Sequence, residues 1–467
     1  MSRKALISGE NELSDPSDEY TRRGSRAPRD DQTMNAMVEI PDMVTATADK
    51  PIVPAAGTEC PLPSGAELGS VDATFRKDPY SVLERLRSAA PVYWDAAFAR
   101  WFITGFDEVR AVLRNRDMSS NPLTARSDSF SARFVAGFRQ ASMEGFLEAM
   151  LWKDDPDHRR LRSLVSKPFG AKEMELQRPR IRGLAERLLD DITEAKFDLI
   201  KSLADPLPLV VIGDMLGVDV ARREQFKRWS EDIVRGLFNP IRTAQETQLA
   251  ACAAQELRQY FAGLIEARRQ VLRDDLISSM IVAKDGDLRA LTDQEVVAQC
   301  LLLLIAGNVT TTDLIGNAVR VLLMHPEQMA QLRAAPQLIT NAVEEVLRYE
   351  SPAMQVARVV PADMTFAGCP FRKGQSVQLS LSAANRDPRA TAEPDRFDIH
   401  RSDIRHHSFG GNRHLCLGAH LARVEAQEAV SALLRRYPQL ELAEQELQFR
   451  AWPGLRGTHQ LWLLSHR

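Results

Sequence analysis

The fold of this chain is decided by the stretch Phe409-Gly410-Gly411-Asn412-Arg413-His414-Leu415-Cys416-Leu417-Gly418, which a helical pattern follows directly. A glycine-rich turn of this kind brings one cysteine to the N-terminal end of a helix, where unpaired N–H groups and the positive end of the helix dipole converge. That environment favours the thiolate of Cys416 over the thiol, and Phe409 can shield the sulfur from water. A shielded, hydrogen-bonded thiolate is what an iron-ligating sulfur requires, so the stretch predicts a metal-bound cysteine.

This segment resembles the haem-binding loop of the cytochrome P450 superfamily, whose pattern is Phe, Gly, a few residues, His or Arg, one residue, Cys, one residue and Gly. The resemblance implies that Cys416 is the axial iron ligand of haem b and that Phe409, His414 and Gly418 bind the same cofactor. One position departs from the pattern, because Asn412 stands where the family usually has a second glycine. Asparagine tolerates positive φ better than other non-glycine residues, so we expect the turn to be kept.

The most readable helix of the sequence covers 292–324 and has an apolar middle part that predicts burial on all sides. This part runs into Ala306-Gly307-Asn308-Val309-Thr310-Thr311-Thr312, which is a poor helix former. The small side chains of Ala306 and Gly307 leave room for a ligand against the backbone, and Thr310 lies one turn further on the face of Ala306. A crowded helix crossing, where small residues allow close approach, would account for the same residues.

The resemblance gives this helix a chemical role next to bound dioxygen. The family commonly has Asp or Glu directly before the threonine that Thr310 matches, whereas this chain has Val309 at that position. Proton delivery would then use the threonines, water, a substrate hydroxyl or Asp313, although a solvated or capped Asp313 is the simpler interpretation. The catalytic residues that the resemblance implies are Ala306, Gly307, Thr310 and Thr311.

Two further arginine-containing motifs match the family's haem contacts. His158 and Arg162 are spaced i, i+4 on one helical face and resemble its propionate-binding helix. Arg358, in a strand-like stretch after Ser351-Pro352, matches its other propionate-binding arginine. Outside the family context, a His four residues before an Arg is usually only a polar surface.

A structural motif stands earlier than the cysteine. Glu345 and Arg348, spaced i, i+3, resemble the family's Glu-x-x-Arg helix and can form a buried charge-assisted pair. Arg396 is expected to close a Glu–Arg–Arg cluster that fixes the cysteine loop. Most pairs with this spacing are solvated, so the motif alone is a weak signal.

The substrate pocket is predicted only in outline. The walls implied by the family include the loop 115–153, the region near 230–245, the 301–311 segment and the strand after Pro352. These stretches are mostly apolar, which predicts a hydrophobic small-molecule substrate, although the same residues can be core. The apolar candidates are Phe130, Phe134, Leu303, Met354 and Val356.

Electrons are expected from a separate ferredoxin or flavodoxin and its reductase, because 467 residues leave no room for a fused redox domain. An acidic donor would fit a basic patch on the cysteine side of the haem. Scattered solvated arginines and propionate ligands are the competing interpretation of the same residues. The candidate patch comprises Arg159, Arg160, Arg405 and Arg413.

Composition excludes several other classes of protein. With 44% hydrophobic and 26% charged residues and a net charge of −3, the chain has no global field for nucleic acid or anionic lipid. The longest apolar run, Cys300 to Gly307, is too short to span a bilayer. Five cysteines, never in a C-x-x-C pair, argue against a disulfide framework and suit a reducing cytoplasm.

The chain as a whole is predicted to be mostly α (α+β), with small sheets segregated from the helices. Residues 1–65 have polar, mixed-charge composition without periodicity and are predicted to be a disordered extension. Residues 66–467 would form one large P450 haem domain, monomeric and cytoplasmic, with haem between the long central helix and the helix after the cysteine loop.

The activity implied by the resemblance is that of an oxygen-dependent monooxygenase, which hydroxylates a C–H bond or forms an epoxide. Val309 keeps a second hypothesis open, a peroxide-driven haem-thiolate enzyme. A non-catalytic haem sensor or carrier is the third, and the intact threonine segment argues against it.

Overall fold

The computed structural model of the chain describes residues 62–239, 242–283 and 290–466. All of these belong to one compact unit, Pro51–Arg467. The predicted extension therefore lies outside the described residues as far as position 61. Its last residues are folded, since Leu62 packs against a hydrophobic cluster and the Gly65 N–H donates to the Asp95 carboxylate at 2.9 Å. The extension is thus shorter than the predicted 1–65.

Helices account for 59% of the fold, which confirms the predicted helix-rich class. In the described part they are α1 (Ala73–Lys77), α2 (Pro79–Ala89), α3 (Phe106–Arg114), α4 (Phe130–Gln140), α5 (Asp157–Val165), α6 (Ala171–Asp190), α7 (Pro206–Leu216), α8 (Arg223–Phe238), α9 (Ala244–Gln270), α10 (Leu276–Val282), α11 (Asp293–Met324), α12 (Pro326–Ala334), α13 (Ile339–Tyr349), α14 (Leu381–Asn385) and α15 (Ala419–Arg436).

Small sheets lie beside the helices, as the α+β prediction requires. A four-stranded sheet has the order β1-β2-β7-β4, a three-stranded sheet the order β3-β9-β8, and β5 pairs with β6. The β2–β7 pair is parallel, with Arg100 opposite Ser376, and the other pairs are antiparallel. The strands are β1 (Val92–Asp95), β2 (Arg100–Ile103), β3 (Lys196–Asp198), β4 (Gln355–Val359), β5 (Met364–Phe366), β6 (Cys369–Phe371), β7 (Ser376–Ser380), β8 (Gln439–Leu442) and β9 (Trp462–His466).

Helix α11 forms the centre of the molecule. Its N-terminus has the expected capping box, in which the Thr292 hydroxyl accepts from the Glu295 N–H at 3.2 Å and the Glu295 carboxylate accepts from the Thr292 N–H at 2.8 Å. Among the described helices, α11 alone is long and apolar enough to cross a membrane, but 78% of its most apolar window is buried inside the protein. It is therefore a core helix of this fold.

Two elements differ from the sequence prediction, which has one helical pattern over 326–349 and no regular element in 115–153. The helical pattern 326–349 is divided into α12 and α13, because Pro336 has no N–H to donate and holds Ala335 outside the helical region at φ −132°, ψ 74°. Conversely, the segment 115–153 contains α4, although its pattern lacks a clean period. Phe134 and Phe138 are spaced i, i+4 on this helix and contact each other with ring centroids 4.7 Å apart.

Candidate active site

The cysteine loop has the backbone geometry that its residues predict. Asn412 adopts φ 56°, in the left-handed region, and its side-chain amide donates to the Arg114 carbonyl at 3.0 Å. The Cys416 N–H donates to the Phe409 carbonyl at 2.9 Å, which closes the loop, and α15 starts at Ala419. The sulfur is thus held between a tight turn and a helix N-terminus.

The protonation of Cys416 differs from the prediction. Burial raises the pKa of the thiol, and the Gly418 N–H with the more distant Arg162 and Arg423 lowers it by less. The Gly418 N–H at the helix N-terminus therefore offsets only part of the effect of burial on the thiol. A cation bound at the sulfur would provide the missing charge, because metal coordination is the stronger way to deprotonate a thiol.

A cavity of about 360 Å³ adjoins the cysteine on the side of α5 and α15. It combines apolar rings with basic side chains, and none of its lining residues is an acid. The lining residues are Arg162, Ser166, Phe169, His406, Phe409, Gly410, Leu415, Cys416, Leu417, Ala419, His420 and Arg423.

Basic side chains gather near the cysteine loop, and of these His158 lies 3.6 Å from the Asp155 carboxylate. Arg358 donates only to the Ala357 carbonyl at 2.7 Å among the described residues, and burial lowers its pKa to about 10. His158 and His414 lie ring to ring, with centroids 4.0 Å apart, and His414 Nε2 is buried without a hydrogen-bond partner in the described part. Burial and the neighbouring cations lower the pKa of His414 to about 2.

This set of groups fits haem b. Cys416 is exposed beside this cavity and supplies a single sulfur ligand, and no cluster of three or more His, Cys, Asp or Glu side chains in the described residues could hold a bare metal ion instead. The guanidinium groups of Arg162 and Arg358 and the unpaired nitrogen of His414 match the two carboxylates of a porphyrin. The donors present are therefore those that a thiolate-bound haem needs.

Helix α11 carries the other predicted site residues. Residues 301–305 are buried, but Ala306 is exposed in the middle of this core helix. Thr310 is half-buried on the same face, and its hydroxyl donates to the Ala306 carbonyl at 2.9 Å. Ala306 is thus an exposed position in the middle of an otherwise buried stretch of helix.

Two further residues of α11 that are predicted to be catalytic, Gly307 and Thr311, are packed against the protein. A Cβ on Gly307 would stand 3.2 Å from the Ile212 side chain on α7, so the glycine allows a close helix crossing. Thr311 is 3% exposed and lies about 100° around the helix from Thr310. The crowded-crossing interpretation describes this contact of Gly307, while the predicted roles of Gly307 at the oxygen pocket and of Thr311 in proton delivery stay predictions.

A family model described as Cytochrome P450 matches residues 100–453 of this sequence. The chain belongs to the cytochrome P450 family. The P450 family uses haem b as its cofactor, and relatives are named as monooxygenases and hydroxylases, so this P450 is an oxidoreductase of that class.

Bacterial P450s are similar over nearly their whole length. A biotin biosynthesis cytochrome P450 of Bacillus subtilis is 38% identical over 84% of this chain and 97% of that protein. A vitamin D(3) 25-hydroxylase of Pseudonocardia autotrophica is 39% identical over 83% of this chain and 94% of that protein. The crystal structure of P450BioI with an acyl carrier protein ligated to hexadec-9Z-enoic acid has a TM-score of 0.78 and 36% identity, covering 84% of this chain and 99% of the other.

A buried ion cluster supports the P450 cysteine loop, but with a different third member from the one predicted. Glu345 and Arg348 are fully buried and joined by two bonds of 2.8 Å. Arg401 completes the cluster, with its Nε 3.0 Å from the Glu345 carboxylate. Arg396 is wrong for this role, because its side chain is 57% exposed and pairs with Glu393 at 3.1 Å.

The cluster is connected to the loop by hydrogen bonds. Arg348 donates to the Asn385 carbonyl at 3.1 Å, and the Asn385 side chain accepts from the His407 N–H at 2.7 Å. The Asn385 amide also donates to the Ser408 hydroxyl at 2.8 Å, which in turn donates to the Leu347 carbonyl. These bonds position the chain immediately before Phe409.

Among the apolar pocket candidates, Met354 is a correction. It is 1% exposed and belongs to the cluster around Leu68 and Phe102, so it is a core residue. Val356 is partly buried against the cluster of the four-stranded sheet, and Leu303 is 7% exposed on α11.

The predicted basic patch is smaller than expected. Arg160 is buried and pairs with Glu295 in the capping box of α11, so it is not available to a partner. Arg413 pairs with Asp154 and Asp155 at 3.6 and 3.4 Å. Arg159 and Arg405 are exposed, as the prediction requires.

Asp313 is also placed differently from the favoured interpretation. It is 1% exposed and pairs with Arg450, so it is neither solvated nor part of a helix cap. Sequence reasoning could not find this pair, because Arg450 lies 137 positions away in a stretch without helical periodicity.

Proposed function

We propose that this P450 is a haem-thiolate monooxygenase that inserts one oxygen atom from O₂ into an apolar small molecule, by C–H hydroxylation or epoxidation. The observation that carries the proposal is the juxtaposition of one accessible cysteine with Arg162, Arg358 and His414, which have no acidic partner among the described residues. Haem b, when bound, supplies the activation of dioxygen.

In this proposal the chain holds the cofactor at both faces and along one edge. Cys416 is the iron ligand, and Phe409 covers it from water in the adjoining cavity. Arg162, Arg358, His158 and His414 bind the propionates. Burial makes these contacts stronger than exposed pairs would be.

In this proposal, helix α11 provides the residues at the other face of the cofactor. Ala306 keeps the backbone open to a small ligand, and the Thr310 hydroxyl can hold and pass a proton at Oγ1. Its bond to the Ala306 carbonyl leaves the oxygen lone pairs free to accept a proton from elsewhere.

The cysteine assignment is tested by the reduced carbon monoxide spectrum of the haem-loaded chain. The unaltered protein should show the red-shifted band of a thiolate-bound haem, and Cys416→Ser should lose it. Cys252→Ser, which changes an exposed cysteine on α9, is the matched control and should keep it. A Cys416→Ser variant with an unchanged band would disprove the assignment.

The substrate is proposed to be apolar and of the size of a fatty acid, steroid or macrolactone. Relatives are named for such compounds, including a 6-deoxyerythronolide B hydroxylase and a structure in complex with testosterone. A spectroscopic screen of these three classes should find compounds that expel the water ligand and change the iron spin state. Binding of charged, strongly polar compounds alone would contradict the proposal.

For the electron source we propose a cytoplasmic ferredoxin or flavodoxin with its reductase, docking on the cysteine side near Arg159 and Arg405. Val309, which is 5% exposed and cannot carry a proton, favours a second candidate, a peroxide-driven enzyme. Product formation with ferredoxin, reductase and NAD(P)H supports the first. Product with hydrogen peroxide alone, and none with the reducing system, supports the second.

A further inference from the structure

Asp313 lies on the same face of α11 as the two residues that border the proposed oxygen pocket. Ala306, Thr310 and Asp313 are spaced i, i+4 and i+7, which places them in one stripe along the helix. The Cα atoms of Thr310 and Asp313 are separated by about 4.5 Å along the helix axis. One water molecule can bridge a hydroxyl and a carboxylate at such a spacing.

The carboxyl group is held at one oxygen and free at the other. Asp313 Oδ1 accepts from Arg450 Nη1, and Asp313 Oδ2 is buried without a hydrogen-bond partner in the described residues. Arg450 is itself fixed, since its N–H donates to the Gly457 carbonyl at 2.9 Å and its guanidinium lies 4.6 Å from the Trp452 ring centroid. A side chain on Gly457 would collide with the carboxylate.

Further charged groups face this pair from the other elements packed around it. Burial raises the pKa of Asp313 to about 6, the Arg450 charge opposes this shift, and the carboxylates of Asp205 and Glu231 add to it. Asp205 is paired with Lys227 at 2.8 Å, whereas Glu231 is half-buried on α8. A carboxyl group of this kind exchanges its proton near neutral pH.

We propose that Asp313 is the proton-relay residue of this P450 and replaces the acid that is missing at Val309. Protonated Asp313 gives its Oδ2 proton through one water to Thr310 Oγ1, and the Thr310 hydroxyl passes its own proton to dioxygen that has taken two electrons from the ferredoxin-type donor. Both protons consumed in one turnover use this route, one oxygen atom enters the substrate, and the other leaves as water. The Asp313 carboxylate stays paired with Arg450 until a proton from solvent returns through Glu231. This inference depends on the proposed monooxygenase function.

The first test compares Asp313→Asn with Asp313→Glu in the haem-loaded full chain, using a substrate found in the spectroscopic screen. Asp313→Asn should lower product formation at least tenfold, raise the share of consumed O₂ released as hydrogen peroxide, and remove the pH dependence of turnover between pH 5 and 7. Asp313→Glu should restore part of each. Substrate affinity from the spin-state titration should stay within about twofold for both variants.

Glu425→Gln is the matched variant, because Glu425 is also a fully buried acid with neither oxygen hydrogen-bonded in the described residues, but lies on α15. It should leave coupling and the pH profile unchanged. If Asp313→Asn behaves like the unaltered protein, or if only Glu425→Gln changes the coupling, the inference is wrong. A parallel loss of substrate affinity in Asp313→Asn would also overturn it, because Asp313 would then be a substrate contact.

A second readout needs no turnover. Infrared spectra of the unaltered, substrate-free protein should show a protonated carboxyl band that disappears with a midpoint near pH 6 and is absent in Asp313→Asn. If the unaltered protein shows no carboxyl band that titrates between pH 5 and 7, the inference is wrong, even if Asp313→Asn loses haem. The thiolate-type carbon monoxide band tests the monooxygenase proposal separately from the inference about Asp313. Its absence would contradict the monooxygenase proposal itself.

Discussion

Arg358 forms no ion pair among the described residues, although the Asp154 carboxylate offsets part of the effect of burial on its pKa. Its pKa is lowered to about 10 by burial, and the nearby Arg413 adds to this shift. A charged side chain in that situation costs stability until an anion is bound. Arg358 thus makes the haem-free protein less stable and the proposed haem complex more stable.

We predict opposite effects of Arg358→Met on the two forms of the protein. The haem-free chain should gain up to about 1 kcal/mol in the free energy of unfolding, because a half-buried cation without an ion pair among the described residues is removed. Haem should be lost at least about tenfold faster, since one charge-assisted bond to a propionate is worth about 1.5–3 kcal/mol. Denaturant unfolding of the haem-free chain and haem transfer to an acceptor globin measure the two effects.

Arg372→Met is the control for this pair of measurements. Arg372 lies close in the sequence, but its side chain is 48% exposed and faces Asp363 at 3.5 Å. Neither quantity should change by more than about 0.5 kcal/mol, as expected of a surface substitution. A destabilised haem-free Arg358→Met with unchanged haem retention would show that Arg358 is a structural residue.

Single residues were predictable from sequence where the neighbours that define their role are local. Cys416 and Asn412 stand in a loop whose turn residues are contiguous, and Glu345 and Arg348 are one helical turn apart. The prediction of Met354 as a pocket residue was wrong, because the direction of its side chain depends on how the chain enters β4 and packs against Leu68, which lies far away in the sequence. Such packing leaves no local pattern.

The ion cluster behind the cysteine loop acts at the level of whole elements. Glu345 on α13 binds Arg348 of the same helix and Arg401 of the following meander, and Arg401 also donates to the backbone carbonyls of Ala392 and Glu393 at 2.8 and 2.7 Å. One side chain therefore joins a helix to an irregular segment. Its loss leaves a carboxylate and several carbonyls with fewer partners in a buried place.

We predict that Arg401→Ala lowers the free energy of unfolding by about 2–4 kcal/mol, whereas Arg396→Ala changes it by less than about 0.5 kcal/mol. The two arginines are five positions apart in the same meander, so Arg396→Ala is the matched control. Urea denaturation of the haem-loaded protein measures both. Equal losses, or a larger loss for Arg396→Ala, would contradict the cluster that the structure shows.

The elements themselves were predicted well where periodicity or caps are strong, as in α11 and in α15, the helix that follows the cysteine loop. The third member of the cluster was not, because Arg396 stands closer to the family-like Pro394-Asp395-Arg396-Phe397 stretch than Arg401 does. An irregular segment has no periodic pattern, so its sequence does not indicate whether Arg396 or Arg401 points into the protein. Only the fold brings Arg401 to Glu345, 56 positions earlier in the chain.

At the scale of the whole molecule, haem is expected to act as part of the core. The proposed site draws on α5, β4, α11 and the loop before α15, which are distant in the sequence. A ligand that contacts all of them stabilises the folded state by mass action, because it binds the native form and not the unfolded chain.

We predict that removing haem lowers the melting temperature by at least about 10 °C and increases amide hydrogen exchange first in residues 409–418 and in β4. The β3-β9-β8 sheet contributes none of the proposed cofactor contacts and should exchange at the same rate in both forms, which makes it the internal control. Uniform acceleration over the whole chain would contradict a local site. Hydrogen–deuterium exchange followed by mass spectrometry measures this.

Asn412 combines two properties that glycine would separate. Its backbone occupies a region that costs a side-chain-bearing residue energy, and its amide ties the cysteine loop to the end of α3. An Asn412→Gly substitution would relieve the backbone energy cost and remove the hydrogen bond to the end of α3. Substitutions at position 412 would therefore change how rigidly the loop holds Cys416, without changing the sulfur or any bond that it makes.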